Sequence, residues 1–344
     1  MITTRFLELR KRRGLMITIA AVTVGIPTVF LGIRLLLHAL APHTYGPAGG
    51  YQIYVALSAG VLYTFGFIVA AALGCSAGSL DLAEGMFRHL VVTGRSRTAL
   101  YLARIPAGLA IIVPLVAIGF TIVCAVCVLA APTTLNYDGM QVPTNLTLGQ
   151  LKTWAADHAV EVICDVPAAS PVAPNESCNG PTPVLHEGPS GPVATPAQLR
   201  AAAAQIAQQV YPDYQSHFLS PPTSLMIQTG LWLELEATVG FIVGLGLGSL
   251  LGQRTVAVVL MIVLEIVLTP IVIRSRIPDM ENLQRAVVGV ATGHLEPGQL
   301  PLALAGGGHD YRLNETTVTA VIVILAWLIG WTTLGAWRMA TRDA

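Results

Sequence analysis

The sequence predicts an all-α polytopic membrane protein with six transmembrane helices and a small outer domain between spans three and four. Three observations predict it. Charge is scarce: 11% of the 344 residues are Asp, Glu, Lys or Arg, 53% are hydrophobic, and the mean hydropathy is +0.65. Soluble domains carry about a quarter charged residues, so a disordered chain, a charge-driven nucleic-acid binder and an ordinary cytosolic enzyme are all excluded. Six stretches approach or exceed the roughly 20 apolar residues needed to cross a hydrocarbon core about 30 Å thick. They are 15–40, 51–74, 100–131, 225–252, 256–273 and 316–337. Finally, Lys and Arg are asymmetric between the connecting pieces. With the N-terminus inside, the pieces 1–14, 75–99, 253–255 and 338–344 hold 11 Lys/Arg in 49 residues, and the outside pieces hold 6 in 145. Positive loops stay cytoplasmic, so both termini are placed inside.

The first span follows a basic run, Arg10, Lys11, Arg12 and Arg13, and ends near Ala39-Leu40-Ala41. Its apolar core is longer than a signal peptide's and Pro42 follows the nominal cut, so it reads as an uncleaved signal-anchor. Arg34 lies in its outer part, with His38 one turn on.

After the second span comes an interfacial segment, about 79–97. Leu82, Met86, Leu90 and Val91 share a face at helical spacing, and Gly85 and Gly94 interrupt the pattern. Arg88, Arg95 and Arg97 then point to anionic headgroups or a protein partner. Thr98 is expected to cap the third span. Arg104, one turn into that span, is expected to snorkel to the interface. Pro106 and Pro114 are expected to kink or loosen it.

The connection 132–224 is too long for a bare loop. Thr147-Leu148-Gly149-Gln150 and Thr195-Pro196-Ala197-Gln198 each fit a capping box, the second with Pro at the first helical position. The Ala-rich run 199–210 is expected to be helical, and 167–196 irregular. Cys164 and Cys178 share this outer piece, and an oxidising compartment predicts a disulfide between them. Cys75, Cys124 and Cys127 lie in or near spans and read as small apolar residues.

Span four carries Gly240, Gly244, Gly248 and Gly252, a small-xxx-small stripe that permits close helix packing, within the subunit or at a dimer seam. Glu234 and Glu236 lie near its outer end. In span five, Glu265 sits near the middle, four residues before Thr269-Pro270. An ionisable group at that depth either lines a substrate path or is buried, protonated or hydrogen-bonded between helices. Arg34 and Glu236 are the other intramembrane path candidates. Between spans five and six, the piece 274–315 contains an amphipathic stretch, 278–292, with Leu283, Val287 and Val290 as its apolar face. Asn145, Asn175 and Asn314 are glycosylation acceptors by sequence. Trp337 beside Arg338 anchors the inner end of span six.

One segment carries a family likeness. Glu84-Gly85-Met86-Phe87-Arg88, then Leu90, Thr93-Gly94-Arg95-Ser96-Arg97, followed by Leu100-Tyr101-Leu102-Ala103-Arg104, resembles the cytoplasmic loop of ABC-2-type ABC transporter permeases. The resemblance extends loosely over the chain. It implies a type V exporter-like topology organised as 1–131 (interfacial N-terminal helix, spans 1–3, coupling helix), 132–224 (extracytoplasmic domain) and 225–344 (spans 4–6). It implies a coupling helix that docks on a separate ATPase subunit, with Glu84, Phe87, Arg88, Arg95 and Arg97 as contacts. The long 132–224 connection departs from the compact bacterial pattern and leaves the substrate open.

The residues themselves point to a partner as well. A P-loop needs Gly-x-x-x-x-Gly-Lys-Ser/Thr. The only lysines are Lys11 and Lys152, and neither follows a glycine. If transport is ATP-driven, as the resemblance implies, ATP and Mg are bound by another chain, and this one is non-catalytic. The eight histidines show no zinc spacing and nothing groups as a Ser-His-Asp triad. The expected function is a plasma-membrane permease subunit, leaning to efflux, working with a second copy or a paralogue in the lipid bilayer and with no nucleic acid. An ion-coupled transporter driven through Glu265, or a non-transporting scaffold or sensor, is the alternative.

Overall fold

The computed structural model describes residues 2–83, 96–137, 140–165, 195–218, 220–264, 281–297 and 316–341. It divides into two compact units. The first comprises Met1–Leu36, Ile53–Val126 and Pro222–Ala344; the second comprises Leu37–Gln52 and Cys127–Pro221.

The N-terminal α1 (Ile2–Lys11) is amphipathic and buries Leu9 and most of Arg5, whose guanidinium pairs with Glu8 at 2.8 Å. Five helices among the described residues are long and apolar enough to cross a membrane. They are α2 (Arg13–Leu40), α3 (over Tyr51–Ser79), α4 (Arg97–Leu129), α8 (Thr223–Leu251) and α12 (Thr317–Thr341). Six were expected. The missing one, 256–273, is described only at its start, where α9 covers Arg254–Ile262. Ile33 of α2, Ile118 of α4, Leu231 of α8 and Ile322 of α12 are at least half exposed. An apolar surface of this extent suits hydrocarbon rather than water.

Two of these helices widen locally into π-helix, at Ala21–Gly25 in α2 and Ala56–Leu62 in α3. For α2 the cause is Pro27, which has no N–H for the Thr23 carbonyl four residues back. Gly119 of α4 lies against that Thr23 oxygen, where any side chain would collide. In α4, Pro106 falls in the first turn of the stretch Arg104–Leu129, where a missing N–H costs little, and Pro114 is carried inside the helix.

The first unit is built around α8, which packs on α3, α9 and α12. Its core joins Phe67, Ala71 and Cys75 of α3, Val239 and Val243 of α8, Met261 of α9 and Ile324 of α12. Gly240, Gly244 and Gly248 face the α3 backbone at Phe67, Ala71 and Cys75. In return, Gly74 and Gly78 of α3 face the α8 backbone at Phe241 and Leu245. The stripe is thus met within the chain by a second stripe. Gly252 does not belong to it. With φ of 70° it adopts the left-handed conformation and ends α8, its N–H bonding the Gly248 carbonyl.

The piece 281–297 forms α10 (Glu281–Arg285) and α11 (Val288–His294). Val288 and Ala291 enter the bundle core, and Leu283 is exposed. This corrects the expected Leu283/Val287/Val290 face: the chain breaks at Val287, in extended conformation, so the two turns do not share one helical phase. Trp232 Nε1 of α8 donates to the Thr292 carbonyl (2.9 Å), and Trp327 Nε1 of α12 donates to Ala286 (2.8 Å).

The second unit contains a two-stranded antiparallel hairpin, a departure from the all-α expectation. β1 (Thr134–Tyr137) pairs with β2 (Met140–Pro143), Leu135 opposite Val142. Then come α5 (Leu148–Asp157), α6 (Ala159–Asp165) and α7 (Pro196–Phe218). Both capping boxes form: Gln150 N–H donates to Thr147 Oγ1, Gln198 N–H donates to Thr195 Oγ1, and each glutamine accepts the reciprocal backbone N–H. The core joins Leu151, Ala155, Val162, Ile163, Ala203 and Ile206. The Tyr214 hydroxyl donates to the Pro143 carbonyl (2.6 Å) and accepts from Leu146 N–H (3.1 Å), tying the hairpin to α7.

Candidate functional site

The segment with the family likeness begins just after α3, whose last part runs Tyr63–Ala83, and leads into α4. Glu84, Phe87, Arg88 and Arg95 lie outside the described residues. Arg97 is described. Its Nη1 donates to the Ala340 carbonyl at 3.2 Å, joining the start of α4 to the C-terminal turn of α12. The cap of α4 is Ser96, whose hydroxyl accepts from Ala99 N–H at 3.2 Å, rather than the expected Thr98. Ser96 sits in extended backbone one residue before the helix, as a cap must.

Arg104 does not snorkel. It is 2% exposed and its Nη1 donates to the Gly78 carbonyl on α3 at 3.0 Å. Two small residues let α3 and α8 close up beside this bond. A Cβ on Gly78 would collide with the α8 backbone at Leu245 and Ser249, and Ser249, fully buried, donates its hydroxyl to the Leu245 carbonyl (2.8 Å) with Gly78 O at 3.5 Å. One turn before Arg104, Tyr101 is fully buried against Gly335 of α12, where a Cβ would run into its ring. Its hydroxyl has no hydrogen-bond partner among the described residues. Helices α3, α4, α8 and α12 therefore meet around Arg104 and Tyr101 at the base of the segment 84–95. Sequence reasoning placed Arg104 in the span but missed its acceptor. The available signal was a guanidinium one turn into an apolar helix, across a short connection from a Gly-Ser pair.

Among the intramembrane candidates, Glu236 is buried in α8, 2% exposed. One turn before it stands Trp232, whose indole stacks on Tyr63 of α3, ring centroids 4.7 Å apart and planes 11° from parallel. Arg34 is half-buried on α2. Glu265 lies outside the described residues. Among the described residues no three His, Cys, Asp or Glu side chains group to hold a metal ion.

Free cysteines among the described residues are Cys75, Cys124 and Cys127. Cys164, at the end of α6, packs against the second unit's core, and Cys178 lies outside the described residues. No family model, curated protein or solved structure matches the chain.

Proposed function

We propose that this chain is the membrane-spanning, non-catalytic subunit of an ABC-2-type transporter, driven by ATP that a separate subunit binds with Mg and hydrolyses. The observation that carries the reading is the segment 84–104, with its Glu-Gly-Met-Phe-Arg and Thr-Gly-Arg-Ser-Arg runs between two membrane-length helices. Its described end is compatible with a force-bearing connection. Arg97 is bound to the last helix, and Arg104 to the helix before the segment. A loop that receives a push from a partner works only if its base is stiff.

In this reading the complex contains two permease chains, identical or related, in the plasma membrane, with both termini and the segment 84–95 cytoplasmic. Closure of the ATPase pair displaces that segment, and the helices follow. Export is the expected direction.

The test is co-purification. The chain expressed with candidate P-loop ATPase subunits should retain one, and replacing Glu84 or Arg88 by Ala should release it while the permease itself stays monodisperse. A wild-type chain that transports fully in vesicles with no ATPase present overturns the reading.

A further inference from the structure

We propose that Arg104 is a positioning residue, a brace that makes the two arms of the segment 84–95 move as one body and so carries its displacement into the bundle. The inference rests on the reading of that segment as the contact with an ATPase. The arms are the end of α3 and the start of α4. A connection between two independent helices absorbs a push by bending. Here the Arg104 guanidinium crosses from one arm to the Gly78 carbonyl of the other, with 2% exposure. Water does not compete for a bond so placed, and a charged donor makes it stronger than a neutral one.

The same spot touches the rest of the first unit. Ser249 of α8 lies at the Gly78 carbonyl, Tyr101 fills the notch left by Gly335 of α12, and Arg97 holds the end of α12. Any rigid displacement of the arms therefore reaches α8 and α12. Tyr101 adds to the junction: its buried hydroxyl has no hydrogen-bond partner among the described residues, so its ring holds its place by packing against Gly335.

The experiment uses the full chain with its co-purified ATPase subunit in lipid nanodiscs. Nitroxide labels replace Ile118 on α4 and Ile322 on α12, both exposed, with Cys75, Cys124 and Cys127 changed to Ala. Distances are measured by pulsed electron resonance without nucleotide and after vanadate trapping with ATP. In the otherwise wild-type complex the distance distribution shifts on trapping. Arg104→Gln should hydrolyse ATP within about twofold of wild type yet lose the shift, and Arg104→Lys should keep most of it. Gly335→Ala, which pushes on Tyr101 from the other side, should likewise reduce the shift without releasing the ATPase, and it decides the matter if Arg104→Gln does not fold. A shift unchanged in Arg104→Gln or, where that variant does not fold, in Gly335→Ala overturns the inference. So do hydrolysis and shift falling together in the variant that decides. A wild-type chain that retains no ATPase overturns the function proposed above instead, a distinguishable failure.

Discussion

At the residue scale, the position of one polar atom decides what a side chain does. Tyr214 illustrates this in the second unit. Its hydroxyl serves both the Pro143 carbonyl and the Leu146 N–H, so Tyr214→Phe leaves two part-buried backbone groups unpaired. The expected loss is about 1–2 kcal/mol of local stability, read as faster hydrogen exchange at the Leu146 amide in the full chain at fixed pH. Burial raises the Tyr214 pKa above the ordinary 10.0, Tyr211 adds to the rise, and the Leu146 N–H opposes it. The folded state thus favours the neutral phenol. Its contribution is whole below pH 10 and is lost as pH rises through the folded value. The ultraviolet titration difference between wild type and Tyr214→Phe should therefore show a component ionising above the ordinary tyrosine range; a component at or below it contradicts the assignment.

At the element scale, the glycines of α8 separate by what lies opposite them. A Cβ on Gly244 meets the Ala71 backbone of α3, which cannot yield as a side-chain end can. Gly244→Val should therefore push the two helices apart and destroy the thermal unfolding transition followed by size exclusion. Gly330 of α12 has open space, so Gly330→Ala should be neutral or stabilise by up to about 1 kcal/mol through helix propensity. Equal loss in both variants contradicts the close seam. The stripe spacing of four was legible in the sequence, because it is a property of one helix. Its partner was not, because Gly74 and Gly78 lie on another helix that only folding brings near. Gly252 fits the spacing yet serves as a terminator, since its backbone conformation, not its position in a repeat, sets its role.

At the scale of the whole molecule, two predictions concern compartments. A membrane-impermeant maleimide should label Gln208→Cys in intact cells and Arg10→Cys only after permeabilisation, following the Lys/Arg asymmetry; the reverse pattern inverts the proposed orientation. Non-reducing peptide mapping should join the peptides containing Cys164 and Cys178. Two free thiols there would remove the proposed disulfide, and with it about 3 kcal/mol expected from closing a loop of that length.

What the sequence determined by itself is local. The membrane-length helices follow from apolar runs, and the starts of α5 and α7 follow from Thr147/Gln150 and Thr195/Gln198, because each cap is complete within four residues. The hairpin at 134–143 was missed because its strands are only four residues each and their pairing is set by register rather than composition. The tertiary structure decided the rest. It turned Arg104 inward, since a carbonyl on α3 competes with the interface for its guanidinium. It chose Val288 and Ala291 over Leu283, since a break at Val287 resets the helical phase. In each case the deciding group lies on another helix or beyond a backbone break, and spacing along one chain segment carries no information about either.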